Sequence, residues 1–112
     1  ILKRISDAGT GSFLAVLKRL GEQNQNLLSF PRAGYTLALD FRMSERARAL
    51  LKELDDMVVS MGGRVYLAKD ALMSEQTFKA TYPNWEQFEA VREAYGAQGK
   101  FASAQSKRLG LA

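Results

Sequence analysis

The feature that most constrains the fold of this chain is one long amphipathic segment between Ser44 and Gly63. Its apolar side chains recur three and four residues apart, at Ala47, Leu50, Leu51, Leu54, Met57 and Val58. Ser44 is suited to cap the N-terminus of a helix, and Glu45 in the first turn is favoured by the helix dipole. Gly62 and Gly63 then provide the stop. The pattern predicts a long helix whose apolar stripe packs against the remainder of the domain.

Two apolar segments before this helix predict β-strands. Residues 13–17 are apolar at odd and even positions alike, up to the charged Lys18. This pattern predicts a strand covered on both faces. Residues 35–41 alternate, with large side chains on one face. The other face carries the small or polar residues Thr36, Ala38 and Asp40. Such a face suits a ligand pocket or solvent, and the pattern alone leaves both interpretations open.

Shorter segments complete the order of elements. Residues 1–8 predict the end of a helix, since apolar side chains share one face until glycines break the run. Residues 64–67 predict a third strand. Residues 75–81, capped by Ser74, and residues 85–95 predict two further helices.

The predicted elements define a fold class. Beyond Gly96 the helical pattern ends, and residues 104–112 form a basic tail. Three apolar residues of this region are expected to dock on a neighbouring surface, namely Phe101, Leu109 and Leu111. The order predicts a single α+β domain over residues 1–112. It has a small mixed or antiparallel sheet packed against one long helix, with two further helices near the C-terminus.

Composition excludes several classes of function. The net charge of +4 arises from basic residues interleaved with acidic ones from Lys3 to Arg108, so no nucleic-acid partner is expected. The absence of cysteine and histidine excludes a disulfide framework, a zinc site and Ser-His-Asp hydrolysis, and no metal is expected. No apolar run reaches the roughly 20 residues of a membrane span. No transmembrane segment and a cytoplasmic location are therefore expected, with membrane association of the full-length protein left open.

A lysine follows the third predicted strand in a position suited to meet a ligand. Residues 64–67 run directly towards Lys69, and Tyr66 stands three positions before it. Lys18 likewise stands where an apolar strand ends. Two interpretations remain open for Lys69: a cation at the mouth of a pocket, or a surface ion pair with the adjacent Asp70 that contributes little.

With these residues in place, the chain resembles the C-terminal, substrate-side region of FAD-linked oxidases of the vanillyl-alcohol-oxidase type, most closely the sugar-lactone oxidases and decaprenylphosphoryl-ribose oxidases. The resemblance extends over nearly the whole chain and depends on several short pieces in the family's order. These pieces are Val16-Leu17-Lys18-Arg19, Leu28-Ser29-Phe30-Pro31, Gly34-Tyr35, Leu39-Asp40-Phe41, the stretch 62–70, Thr77-Phe78, Tyr82-Pro83 and Lys107-Arg108-Leu109-Gly110-Leu111.

The resemblance implies a function and a set of site residues. It implies that the chain is a C-terminal fragment of a longer FAD-dependent oxidoreductase, whose flavin-binding domain is the parent partner and is not contained in residues 1–112. Lys69 is then the catalytic and cofactor-binding residue beside the flavin ring. Tyr66, Lys18 and Thr36 are the substrate-binding residues. The full-length enzyme would oxidise a hydroxyl of a sugar, sugar lactone or polyprenyl-linked sugar, and the isolated fragment is expected to hold no FAD and to be inactive.

Departures from the family pattern leave the substrate open. Leu20 stands where the family often has a bulky aromatic residue, and Gly96-Ala97 replaces an Asp-Pro pair. With Thr36 and Ala38 on the second strand, the pocket wall is smaller and more apolar. A second function also remains open: a non-catalytic α+β binding or dimerisation module. An exposed sheet edge would let two copies form a homodimer.

Overall fold

The computed structural model describes residues 1–111, and Ala112, the last residue of the predicted basic tail, lies outside them. The elements within this range are α1 (Leu2–Ala8), β1 (Leu14–Leu20), β2 (Gly34–Asp40), α2 (Glu45–Ser60), α3 (Glu75–Thr81), α4 (Trp85–Ala94) and α5 (Ala104–Arg108). The predicted α+β class is confirmed. None of the helices in residues 1–111 has both the length and the apolar character that a membrane crossing requires.

The sheet is a two-stranded antiparallel ribbon. β1 and β2 pair along their whole length, and the register places Lys18 opposite Thr36. The prediction that β1 is covered on both faces is wrong, since Leu17 is 66% exposed and Phe13, just before the strand, is 78% exposed. In residues 1–111 β1 pairs with β2 alone, so its apolar side chains have few neighbours to cover them.

The long helix α2 is confirmed and supports one side of the ribbon. The Ser44 hydroxyl accepts a hydrogen bond from the Ala47 N–H, which caps the helix as predicted. Leu50 and Leu54 form a buried cluster with Ile5 of α1. Two large residues at the end of the ribbon, Leu39 and Phe41, pack against that cluster. The α2 stripe therefore fixes the position of β2.

A second core lies between α3 and the C-terminal segment. Its buried members are Met73, Phe78, Tyr82, Leu109 and Leu111. The docking predicted for Leu109 and Leu111 is thus confirmed, whereas Phe101 is 74% exposed and does not dock. The short helix α5 was not predicted. A reciprocal pair of side-chain-to-backbone hydrogen bonds between Ser103 and Ser106 begins it.

The predicted third strand is wrong. Residues 63–66 carry no strand, and Leu67–Lys69 forms a single 3₁₀ turn. Side chains, not a neighbouring strand, hold this segment in place. Arg64 donates to the carbonyl oxygens of Ser29 and Thr81, and the Tyr82 hydroxyl donates to the Val65 carbonyl over 2.6 Å. A period-two pattern predicts extended backbone, but a strand also requires a partner for its backbone groups.

Candidate functional site

Lys69 stands at the end of the 3₁₀ turn and faces the end of β2. Its Nζ lies 3.1 Å from Asp40 Oδ1 and 3.3 Å from Asp40 Oδ2. The two side chains are 48% and 32% exposed, so the pair adds little to the stability of the fold. An ammonium has three N–H donors, and the two Asp40 oxygens take at most two of them. Lys69 therefore keeps donor capacity towards a ligand.

Asp70 has a different partner from its neighbour Lys69. Its carboxylate is 4% exposed and pairs with Arg108 of α5 over 2.7 Å. The same carboxylate accepts the backbone N–H groups of Leu72 and Met73 over 2.9 and 2.7 Å. The interpretation of Lys69 and Asp70 as a surface ion pair is therefore wrong. Asp70 instead anchors the turn that carries Lys69 to the C-terminal helix.

A cavity of about 190 Å³ opens between β2, α2 and the segment 64–69. Three of the four predicted site residues line it: Thr36, Tyr66 and Lys69. Lys18 lies outside the lining, exposed on β1 across the ribbon from Thr36. We call this cavity the lysine pocket. The fold thus gathers a hydroxyl, a phenol and an ammonium around one concavity, a grouping suited to hold a polyhydroxylated ligand.

An aromatic pair forms one wall of the lysine pocket. The rings of Phe30 and Tyr66 are tilted against each other with centroids 4.7 Å apart. The same two residues also line a second, larger cavity of about 590 Å³. Sequence reasoning did not single out Phe30 as a site residue, although it lies within Leu28-Ser29-Phe30-Pro31, one of the pieces that carried the resemblance.

Asp55 is a second residue that sequence reasoning missed. It projects from α2 and lines the lysine pocket as well as the two cavities beside it. Burial, together with the negative charges of Asp70 and Asp56, raises the pKa of Asp55 to about 6, against an opposing effect of Arg108. The available signal was its place directly after Leu54, at the border of the apolar stripe. The lysine pocket thus contains a carboxyl group that titrates near neutral pH.

Tyr82 and Arg64 fix the segment that leads to Lys69. Burial raises the pKa of Tyr82 to about 12, so the phenol stays protonated and serves as a donor to Val65. The Arg64 guanidinium lies 4.8 Å above the Tyr82 ring. These contacts hold the backbone before Tyr66 on the second core.

Comparison with known proteins agrees with the family that the sequence pieces indicated. A family model described as D-arabinono-1,4-lactone oxidase matches residues 19–109. The chain is 38% identical, over 111 residues, to the decaprenylphosphoryl-β-D-ribose oxidase of Mycolicibacterium smegmatis, with 99% of this chain and 24% of that protein covered. It is 36% identical, over 112 residues, to an uncharacterized protein in the mprA 5' region of Streptomyces coelicolor, with 99% of this chain and 30% of the relative covered.

The chain therefore spans less than a third of the length of these curated relatives. The family match covers Thr36, Tyr66 and Lys69, and it begins one residue after Lys18. It extends over far more than half of the 112 residues. This chain belongs to the D-arabinono-1,4-lactone oxidase family.

Proposed function

We propose that this chain forms the substrate-side part of an FAD-dependent oxidoreductase that oxidises a hydroxyl of a sugar, a sugar lactone or a polyprenyl-linked sugar. The observation that carries the proposal is the Lys69 ammonium, held by Asp40 at the rim of a pocket that Tyr66 and Thr36 also line. Membership of a lactone oxidase family and the resemblance to a sugar-linked oxidase support it. The flavin would be bound mainly by a parent flavin-binding domain.

The residues of the chain suit one edge of such a flavin. Lys69 is about half exposed and retains donor capacity, so a ring presented by another domain can reach it. Gly9-Thr10-Gly11-Ser12 is too short and wrongly placed to form a pyrophosphate loop. The residues of this chain therefore suit contact with the isoalloxazine ring of FAD and not with its pyrophosphate. The isolated chain is accordingly proposed to bind no FAD and to be inactive.

The chemistry gives Lys69 a defined role. Bound FAD would supply the acceptor for the hydride that leaves the carbinol carbon. The hydroxyl must also lose its proton, for which the Asp55 carboxylate that lines the lysine pocket is an acceptor. Lys69 stabilises the negative charge that the substrate oxygen gains as this proton leaves. A fixed cation at such a point typically lowers the barrier by about 3 kcal/mol. Asp40 accepts hydrogen bonds from the ammonium and so restrains its position at the end of β2.

The remaining site residues act on the substrate. The Tyr66 phenol and the Thr36 hydroxyl each donate or accept a hydrogen bond and are suited to sugar hydroxyls. Lys18, which lies outside the lining of the lysine pocket on β1, would supply a second cation to a part of the substrate that extends beyond the pocket. These contacts orient the ring so that one carbinol faces the oxidant.

The test uses the full-length protein that contains this chain. Purified under native conditions, it should show flavin absorbance or gain it when FAD is added. Lys69→Ala should lower turnover by about 100-fold or more while the bound FAD remains. Lys107→Ala, an exposed lysine of α5, is the matched control and should leave turnover unchanged. A protein without flavin after addition of FAD contradicts the whole proposal, and an unchanged turnover in Lys69→Ala removes Lys69 from the mechanism.

A non-catalytic dimerisation module is the second candidate function. The observation that favours it is the ribbon, which leaves Leu17 66% and Tyr35 74% exposed. A second copy pairing along the β1 edge would cover part of this apolar surface. For the full-length protein, this function predicts self-association without flavin binding, which separates it from the first candidate.

A further inference from the structure

Asp55 of α2 lies where three cavities meet. It lines the lysine pocket, an adjoining cavity of about 240 Å³ and a larger one of about 480 Å³. The adjoining cavity is also lined by Asp40, Lys69 and Asp70, so it extends the lysine pocket around its ion pair. The larger cavity opens between α2 and α3, and we call it the α2–α3 cleft. Within residues 1–111, Asp55 is the one residue that lines both the lysine pocket and this cleft.

The α2–α3 cleft has a polar lining, unlike the lysine pocket. Ser74, Gln76 and Thr77 line it from the α3 side, and charged residues line it from α2. Ser74 and Gln76 are exposed, so the cleft is open to solvent. A space with several hydrogen-bonding groups along it holds water. The lysine pocket is lined mainly by apolar side chains, among them Leu37 and Leu54, and offers water few partners.

Asp55 differs from the other carboxylates around the lysine pocket because it holds no cation. Asp40 is paired with Lys69, and Asp70 is paired with Arg108. Asp55 forms no ion pair with any residue in the described range 1–111. Protonation of Asp40 or Asp70 would break an ion pair, which opposes it. Asp55 can therefore gain and lose a proton without disturbing these contacts.

Charged groups face Asp55 from all three cavities. They are Arg64 and Lys69 in the lysine pocket, Asp40 and Asp70 in the adjoining cavity, and Arg48, Lys52 and Asp56 in the cleft. Burial, with the negative charges of Asp70 and Asp56, raises the pKa of Asp55 to about 6, against the opposing effect of Arg108. A base whose pKa lies close to the working pH is ionised and still accepts a proton readily.

Resting on the proposed function, we propose that Asp55 passes the proton of the substrate hydroxyl into the α2–α3 cleft, which is the proton outlet of the lysine pocket. The O–H bond breaks and its proton bonds to an Asp55 oxygen, while the hydride leaves the same carbinol with its electron pair towards FAD. A C=O bond forms at that carbon. Asp55 then transfers the proton to water in the cleft and is ionised for the next substrate. Because the substrate and the flavin ring occupy the lysine pocket, an outlet on the far side of Asp55 lets the proton leave before the product does.

Chemical labelling of Asp55 tests the outlet without measuring turnover. The full-length protein, with FAD bound and D-arabinono-1,4-lactone in excess, is treated at about pH 6 with a water-soluble carbodiimide and glycine ethyl ester, and the modified peptides are quantified by mass spectrometry. Asp55 should be labelled, because the cleft reaches it while the lysine pocket is occupied. Ala80→Trp places a large ring in the lining of the cleft and should abolish the label. Ala90→Trp, at an exposed position of α4 outside the three cavities, is the matched control and should leave the label unchanged.

A single turnover of the full-length flavoprotein separates the acceptor from the outlet. The protein is mixed without oxygen with D-arabinono-1,4-lactone or farnesylphosphoryl ribose, whichever it oxidises faster, and stopped-flow absorbance follows the flavin and a pH-indicator dye in weak buffer. In the wild type both signals should change at the same rate. Asp55→Asn should slow the flavin signal by about 100-fold or more, because the carboxylate that takes the proton is lost. In Ala80→Trp the dye signal should lag behind the flavin signal, and in Ala90→Trp it should not.

A second blocking variant covers the case in which Ala80→Trp fails to fold. Gln76→Trp serves this purpose, since Gln76 is exposed and lines the same cleft. Label on Asp55 that persists in the tryptophan variants of the cleft, or a dye signal that never lags in them, overturns the outlet while the proposed function stands. A full-length protein that binds no flavin contradicts the proposed function itself.

Discussion

At the scale of single residues, the contact between Lys69 and Asp40 tests the proposed role of Lys69 in turnover separately from its effect on stability. Both side chains are partly exposed, so Asp40→Asn should change the free energy of unfolding by less than about 1 kcal/mol. If Lys69 has the proposed role, the same change removes the carboxylate that restrains the ammonium, and turnover of the full-length protein should fall by about tenfold or more. Urea denaturation and steady-state kinetics measure the two effects.

The matched control for this pair is Asp7→Asn. Asp7 forms an exposed ion pair with Lys3 over 2.8 Å on α1, away from the pocket. Its loss should have a similarly small effect on stability and none on turnover. If Asp40→Asn behaved in the same way as Asp7→Asn, Asp40 would have no positioning role.

Asp55 predicts how stability depends on pH. Its pKa is raised from 3.8 to about 6 in the folded protein, mainly by burial. Folding therefore favours the protonated form. The stability that folding gains from protonated Asp55 is fully present below about pH 4 and is lost as the pH rises through about 6. A shift of this size corresponds to about 3 kcal/mol, and the partial exposure of Asp55 reduces the expected effect to about 1–2 kcal/mol.

The measurement compares unfolding free energies of the wild type and Asp55→Asn at about pH 4 and pH 7. The free energy of unfolding of Asp55→Asn should equal that of the wild type at about pH 4. At about pH 7 it should be about 1–2 kcal/mol larger than that of the wild type. Asp56→Asn removes only a minor neighbouring charge, and its difference from the wild type should be smaller and flatter with pH. A wild type that becomes more stable relative to Asp55→Asn as the pH rises would show that the sign is wrong.

The sequence predicted which candidate site residues lie together better than it predicted their hydrogen-bond partners. Lys69, Tyr66 and Thr36 were chosen from strand ends and family resemblance, and the fold places them around one cavity. The partner of Lys69 is 29 residues away in the chain, and that of Asp70 is 38 residues away. Such pairs depend on how whole elements pack, which no local pattern encodes. Asp55 was missed for the same reason, because its pKa is set by burial.

At the scale of elements, the cap of α2 offers a stability test. The Ser44 hydroxyl accepts the Ala47 N–H over 3.1 Å and satisfies a donor that the helix itself leaves unpaired. Ser44→Ala should therefore lower the free energy of unfolding by about 1 kcal/mol. Ser60→Ala is the matched control at the other end of the same helix, where an exposed hydroxyl bonds only to the Met57 carbonyl. It should change stability by less than about 0.5 kcal/mol. Equal losses in urea denaturation would contradict the capping argument.

The same contrast explains which elements sequence reasoning found. The helices α2 and α3 were predicted with their caps, because Ser44 and Ser74 each bond to a backbone N–H three residues ahead. A cap is a local interaction, so its sequence signal is sufficient to predict where the helix begins. The third strand was wrong because the segment finds no partner strand within residues 1–111. Contacts with distant elements hold it instead, since Arg64 donates to the Thr81 carbonyl oxygen and Tyr82 donates to that of Val65. The five-residue α5 was too short for a periodic signal.

At the scale of the whole molecule, the chain is more extended than a compact domain of its length. Its radius of gyration is 15.2 Å, whereas about 13 Å is expected for this number of residues. The ribbon contributes much of the uncovered apolar surface, with Phe13, Leu17 and Tyr35 each more than 60% exposed. Apolar patches of this kind mark surfaces that associate with other protein. The shape therefore suits a piece that packs against further structure through its ribbon.

This surface predicts how the 112-residue chain behaves in solution. Within residues 1–111 one edge of β1 is unpaired, and apolar side chains of the ribbon are exposed, so the chain should self-associate as its concentration rises. Leu17→Lys places a charge on the ribbon and should shift the equilibrium towards the monomer, since charged side chains on an edge strand oppose further pairing. Analytical ultracentrifugation over a range of concentrations measures the change.

Leu2→Lys is the matched control, because Leu2 is 63% exposed, close to the 66% of Leu17, but lies on α1 and not on the ribbon. If association depended on the general apolar character of the surface, the two lysine variants would weaken it equally. If self-association depends on the ribbon, only Leu17→Lys weakens it. A wild-type chain that stays monomeric at every concentration would show that an exposed apolar ribbon is compatible with solubility here. The dimerisation module would then lose its supporting observation.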